Sequence, residues 1–251
     1  MIRLAIMSDL HVEKGPFHSP AVEADLWLLA GDIGWGPEGV RWIADHLRGQ
    51  ACAYVAGNRE HWHWGEGTDP IAELRRLAAG VPGLTFLQDQ QAEFVFGDRR
   101  LRVLGATLWT DYALEGDPDA AMRLAQEKMP DYRNGRGSDG RTLTAAQVLA
   151  WNRASVAFLD RALAEEFGGD TIVVTHHCPT AASLKARRPE HVPTTASVTG
   201  LDGLIAARQP LLWVHGHTHW DCDHAIGRTR VVTRQRGTPE NEDFTPLVVA
   251  I

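Results

Sequence analysis

The 251-residue sequence predicts a layered α/β domain, and three observations carry that prediction. Short apolar runs recur along the chain: IRLAIM (2–7), DLWLLA (25–30), ACAYVA (51–56), TIVVT (171–175) and PLLWV (210–214). They are continuous rather than alternating, as in strands buried on both faces. Helical patterns fall between them, the order of a layered α/β chain. Each run also stops at polar residues of ligating type, and parallel strands collect such ends along one sheet edge.

The intervening elements follow from local signals. Asp69-Pro70 predicts a helix start, with an N-cap and a proline at the first helical position. Ile71, Leu74 and Leu77 then share one helix face. LRVLGATLW (101–109) predicts a further strand. Thr144 and Gln147 have the spacing of a capping box, and Leu149, Val156, Leu159 and Leu163 continue the helix it opens. AIGRTRVVT (225–233) predicts a hairpin turning at Gly227-Arg228. Residues 110–141 break the pattern. An Ala/Met/Leu-rich helix near 117–129 precedes DYRNGRGSDG, and the segment reads equally as a surface excursion or as a lid over a site.

Composition narrows the function. The formal net charge is -7, with 44% hydrophobic and 23% charged residues. That balance is ordinary for a globular protein and argues against extended nucleic acid as a partner, which needs cations to neutralise phosphate. A small phosphorylated substrate stays possible, because a bound cation reverses the local field. No apolar run approaches the roughly 20 residues of a membrane helix, and the start MIRLAIMSDLH is too short in its apolar part for a signal peptide. Cys52, Cys178 and Cys222 have no paired spacing and read as small buried hydrophobes. Together these point to a cytoplasmic location and no disulfide framework. The oligomeric state is not legible.

The polar ends are Ser8-Asp9-Leu10-His11, Gly31-Asp32, Gly57-Asn58, His176-His177, and His215-Gly216-His217-Thr218-His219. Asp-x-His alone is weak, and a lone Gly-Asp is weaker. Five such ends in order form a site of mixed carboxylate, amide and imidazole. That set suits Mn, Fe, Zn, Co or Ni. Seven side chains exceed the needs of one tetrahedral zinc and suit two ions.

In that order, D-x-H, G-D, G-N, an isolated H and G-H-x-H resemble the calcineurin-like metallophosphoesterase superfamily, over Asp9 to His219. The resemblance implies an α/β four-layer αββα sandwich of two mixed sheets flanked by helices, in a single domain over 1–251 with 110–141 as a possible lid. It implies two divalent transition metal ions. Asp9, His11 and His219 would hold one, and Asn58, His176 and His217 the other, with Asp32 bridging. His176 is taken before His177 because it directly follows its strand. His215 would play a supporting part.

Departures from the family pattern lie beside these ligands. Its second acidic residue, three after the bridging Asp, is Trp35 here, and the His after the Asn is Arg59, in GNREHWHW (57–64). Arg59 stays charged and cannot protonate a leaving group, but its planar fork suits phosphate oxygens. Arg59, Asp32 and Asn58 are therefore the expected catalytic residues. His61, His177 and Trp62 join Arg59 as candidate substrate contacts. Glu60 reads either as an acceptor that orients the site or as a solvated carboxylate. Trp62, Trp64 and Trp220 read more readily as packing than as base-stacking residues. Arg234 and Arg236 could reach the site or be surface arginines. His18, His46, His191 and His224 carry no motif and read as ordinary surface residues.

The implied activity is hydrolysis of a phosphomonoester or phosphodiester by a hydroxide shared between two ions, without a covalent enzyme intermediate. A nucleotide phosphodiesterase or nuclease is the neighbouring reading. A non-catalytic scaffold is the reading from another class, and it would be expected to lose ligands, whereas all seven are present.

Overall fold

The computed structural model describes residues 1–184 and 196–251; His191 lies outside them. Two mixed sheets stack face to face. The first is built from β1 (Arg3–Met7), β2 (Leu26–Ala30), β3 (Cys52–Val55), β4 (Leu84–Phe86) and β11 (Leu247–Ala250), in the order β11-β1-β2-β3-β4. Only β11 runs antiparallel to its neighbour. The second contains β5 (Gln90–Phe96), β6 (Arg99–Ala106), β7 (Asp170–Thr175), β8 (Leu212–His215), β9 (Asp223–Ile226) and β10 (Thr229–Thr233), in the order β5-β6-β7-β8-β10-β9. Its central strands are parallel and its two edge strands antiparallel.

The twofold alternation of strand side chains builds three apolar layers. Leu4, Ile6, Leu28, Ala53 and Val55 of the first sheet meet Leu101, Val103, Ile172, Val174 and Val214 of the second. The alternate residues Ala5, Met7, Trp27, Leu29 and Tyr54 face outward, under Val40 and Ile43 of α1 (Glu38–His46) and Leu74 and Ala78 of α2 (Pro70–Ala78). On the far side, Leu104, Val173, Trp213 and Val231 lie under Phe158, Leu159 and Ile205. Those come from α5 (Ala145–Ala164) and α6 (Asp202–Arg208). Each fully buried aliphatic side chain contributes roughly 1.5–3 kcal/mol relative to exposure. The result is the four-layer αββα sandwich.

The local expectations stand in detail. Asp69 Oδ1 accepts from Ile71 N and Ala72 N at the start of α2. Thr144 and Gln147 form the reciprocal capping box of α5. The hairpin turns at 227–228 between β9 and β10. The strand expected over 101–109 ends earlier, at Ala106. Leu108 and Trp109 have φ of 68° and 58°, which takes the chain out of the sheet. The 110–141 excursion contains α3 (Pro118–Lys128) and α4 (Asp131–Asn134). Tyr112, Ala121, Ala125 and Tyr132 pack there with Leu143 and Val148 as a separate small core. Among the described residues no helix is long and apolar enough to cross a membrane.

Candidate metal centre

The carboxyl ends of β1, β2, β3, β7 and β8 converge, and the seven expected ligands come together there. Two groups of donor atoms result. Asn58 Oδ1, His176 Nε2 and His217 Nδ1 form a nearly equilateral triangle, with edges of 3.0, 3.1 and 3.0 Å. Nearby, His11 Nε2 lies 3.1 Å from His219 Nε2, which is 3.4 Å from Asp9 Oδ1. Asp32 stands between the groups, with Oδ1 3.5 Å from His176 Nε2 and Oδ2 3.9 Å from His11 Nε2.

These contacts set acceptor against acceptor. His176 Nδ1 donates to Ala30 O, so its Nε2 presents a lone pair. Asn58 Nδ2 donates to Asp131 Oδ1 at 2.7 Å, so its Oδ1 faces inward. His11 Nδ1 sits 3.0 Å from Glu13 Oε1, which fixes the other nitrogen the same way. Converging lone pairs repel unless a cation lies among them. Edges near 3.0 Å are also the spacing of adjacent ligands about a first-row ion with bonds of roughly 2.1 Å at right angles. The residues therefore fit divalent metal on both geometry and donor type, and Asp9 with His11 and His219 forms one compact ligating group.

The backbone at these residues is strained. Asp9, His11, Asp32, His217 and His219 all have φ between 49° and 70°, a region few non-glycine residues occupy. Such strain clusters at functional sites, where surrounding structure holds it. Two glycines leave room for the ligands. A Cβ on Gly57 would lie 2.2 Å from Asp32 Oδ1, and one on Gly216 would lie 2.5 Å from Asp9 Oδ2.

Burial sets the electrostatics. Asp9 and His11 are fully buried, while His219 reaches the surface. Burial acts to raise the Asp9 carboxyl, but the neighbouring imidazoles of His219, His176 and His11 outweigh it and hold the group well below the usual carboxylate range. Burial and the nearby His176 push His217 far down, so its imidazole is neutral, the form that binds metal. Burial, helped by His217 and His176, does the same to His177.

The remaining candidates divide. His177 stacks on His217 with ring centroids 4.1 Å apart and gives Nδ1 to Thr107 O, so it backs the ligand triangle from the side. It also lies within a possible three-histidine group with His176 and His217. Arg59 N donates to Asp32 Oδ1 at 2.8 Å, and its guanidinium lies 3.9 Å over the Trp62 ring. Arg59 Nε is 3.8 Å from Asp32 Oδ2 and has no hydrogen-bond partner. Trp62 is buried, covered by Arg59, and donates Nε1 to Asp131. It is a platform for Arg59 rather than a free face for a substrate ring. His61 turns the other way: its Nδ1 meets Arg136 O, and its ring contacts Trp109 and Trp151 in a side cavity lined by none of the seven expected ligands.

Further residues support the cluster, and of these Asp131 and Gln235 carry no sequence signal of their own. Glu60 is fully buried and accepts from Asp32 N, Ile33 N, Tyr54 OH and Gly57 N, clasping two ligand loops. The solvated alternative for Glu60 is thus set aside. Burial and the Asp32 charge raise its pKa. Even so, a proton on Glu60 would displace one of four donors. Asp131 reaches in from the excursion and orients Asn58 and Trp62, and burial raises its carboxyl too. Gln235 accepts from His219 N. Arg236, expected at the site or the surface, is buried and donates to Leu10 O and Pro239 O, bracing the loop that bears Asp9 and His11. Arg234 pairs with Asp221 instead. Trp64 donates to Glu60 O, and Trp220 is half exposed. The three cysteines are free, and Cys178 and Cys222 each lie 3.9 Å from buried His215 Nε2. His18 is exposed, whereas His46 stacks on Trp42 and His224 meets Ser183.

The two-sheet sandwich and its strand-end cluster are the arrangement that the sequence resemblance leads one to expect, and solved structures share the fold. Phosphopantetheinyl hydrolase from Mycobacterium tuberculosis superposes with a TM-score of 0.71, over 97% of this chain and 95% of that one, at 19% identity. A putative 5'-nucleotidase from Staphylococcus aureus gives a TM-score of 0.53 at 15% identity. It is matched over 98% of this chain but 52% of its own length, so this chain spans about half of it. No family model and no curated protein matches the sequence. At these identities the likeness establishes the fold.

Proposed function

We propose that this protein is a dinuclear metal-dependent phosphoesterase that hydrolyses a small phosphomonoester or phosphodiester. One observation carries the reading: two groups of inward-facing lone pairs, Asp9/His11/His219 and Asn58/His176/His217, flank a single shared carboxylate, Asp32. The metallophosphoesterase fold supports it.

Asp9, His11 and His219 would hold one divalent ion and Asn58, His176 and His217 the other, with Asp32 common to both. Bound ions would supply Lewis acidity toward the phosphoryl oxygens and a nucleophilic water at neutral pH. The chain's own contribution is positioning. His11, His176 and Asn58 are locked by Glu13, Ala30 O and Asp131 with their ligating atoms inward. Arg59, held over the Trp62 ring with Nε free of hydrogen bonds, donates to a non-bridging phosphate oxygen and stabilises charge gathering there. The exposed edge at His219 is the entry side. The 110–141 excursion acts as a fixed wall through Asp131.

Phosphopantetheinyl esters and nucleotides, the classes indicated by the names of the two similar structures, are the first substrates to test, beside p-nitrophenyl phosphate and its bis ester. Hydrolysis that requires added Mn, Fe, Zn, Ni or Co, and that Asp32→Ala abolishes, is the expected result. Metal-independent turnover, or full turnover in Asp32→Ala, would contradict it.

A further inference from the structure

Beside the metal centre lies a cavity of about 170 Å³. Its aromatic wall is His61, Trp109 and Trp151, whose ring centroids lie 5.2, 5.3 and 5.9 Å apart. Its polar lining includes Gln88, Asp69 and Asp89, and no lysine or arginine is among its described lining residues. Ser138 is exposed at its mouth, while Trp109 is buried and separates it from His177.

Two buried acceptors in its lining are unused. His61 is 2% exposed, and with Nδ1 held by Arg136 O its Nε2 presents a lone pair with no partner. Its one N–H is spent on Arg136 O, which leaves Nε2 an acceptor. Asp89 Oδ1 is likewise buried and accepts no hydrogen bond of normal length, although the Ser155 hydroxyl stands near the same carboxylate and Gln88 Nε2 donates to its Oδ2. Leaving such groups unpaired costs about 1–3 kcal/mol each. The cavity thus combines two unpaired acceptors, a second carboxylate and two indoles, with no cation of its own.

We propose that this cavity binds a primary ammonium group carried on a short apolar chain. The ammonium N–H groups donate to His61 Nε2 and Asp89 Oδ1, and its charge is attracted by the carboxylates and the Trp faces. The alkyl body lies against Trp109, Trp151 and Ile71. The donors are essential to the match. A quaternary ammonium has the charge but no N–H, and it would leave both acceptors unpaired. An alcohol has a donor but no charge.

The test is calorimetric titration of the whole protein with n-butylammonium chloride, butyltrimethylammonium chloride and 1-butanol, each with chelator-treated and metal-supplemented protein. The expected result is saturable binding of n-butylammonium in both states, at least about tenfold tighter than either analogue. Asp89→Asn should weaken it by about tenfold or more. Asn tolerates the φ of 51° at this position, so the variant keeps the backbone. His61→Phe, which removes the other acceptor, should weaken it similarly. Absence of saturable binding would overturn the proposal and leave the cavity to water. Equal binding of the trimethyl analogue, or an Asp89→Asn affinity equal to wild type, would overturn it too. Because the readout is binding with and without metal, its failure is distinguishable from failure of the phosphoesterase reading.

Discussion

Glu60→Gln is a nearly isosteric change with a calculable consequence. In the native site, Oε2 accepts from Asp32 N at 3.0 Å and Gly57 N at 2.7 Å. Oε1 accepts from Ile33 N and Tyr54 OH, each at 2.8 Å. A glutamine keeps one acceptor oxygen and turns the other into a donor. Its milder placement puts the amide nitrogen at the Oε1 position, where the Tyr54 hydroxyl can rotate to accept, and only Ile33 N–H is orphaned. That orphan costs about 1–3 kcal/mol, and the two bonds left on the neutral oxygen each lose about 1 kcal/mol of charge assistance. Relief of carboxylate burial offsets part of this. We expect a net loss of about 2–4 kcal/mol in urea denaturation. Because the same clasp joins the Asp32 and Asn58 loops, metal affinity should fall about 10–100-fold. Unfolding within about 0.5 kcal/mol of wild type, together with unchanged metal affinity, would refute the clasp.

Other perturbations separate the parts of the site. Arg59→Ala should lower kcat/KM by about a hundredfold through lost charge stabilisation, with metal content retained; unchanged kcat/KM would place Arg59 outside the site. Arg59→His should recover part of that loss and add a pH dependence, read from pH-rate profiles. Gly57→Ala drives a Cβ to 2.2 Å from Asp32 Oδ1, so it should cost about 1–3 kcal/mol of stability and displace metal, as read by denaturation and elemental analysis. His61 titrates near 4 in the fold against 6.5 in the unfolded chain, so the unfolded state binds the proton first. Stability is therefore lost as pH falls from about 6.5 to about 4, by up to about 3 kcal/mol, and His61→Gln should remove that part of the acid limb.

What the sequence discloses and conceals has a physical basis. Strand ends are legible because a buried run followed by Gly-Asp or Gly-Asn changes character within two residues. The division into two sheets is not legible from the runs. Leu28 faces the opposite sheet and Leu29 faces the helices, and both positions demand the same apolar side chain. Strand β5 escapes notice because QQAEFVF is an antiparallel edge strand with alternate exposure and little apolar continuity. Short spacing reveals Asp9 with His11, whereas Asp131 supports Asn58 from 73 positions away. GNREHWHW shows the limit most clearly. Asn58 joins the ligand cluster, while His61, three residues on, sits in the side cavity on the far side of a 3₁₀ turn. Residue type alone cannot distinguish the two.

Two metal sites that share one carboxylate should fill and empty together. Mn²⁺ titration of chelator-treated protein, followed by calorimetry and elemental analysis in wild type and Asp32→Ala, tests it most directly. About two ions per wild-type chain are expected, and one or none, bound far more weakly, in the variant. A wild-type chain that takes up no metal, or an Asp32→Ala variant that binds both ions as tightly as wild type, would contradict it.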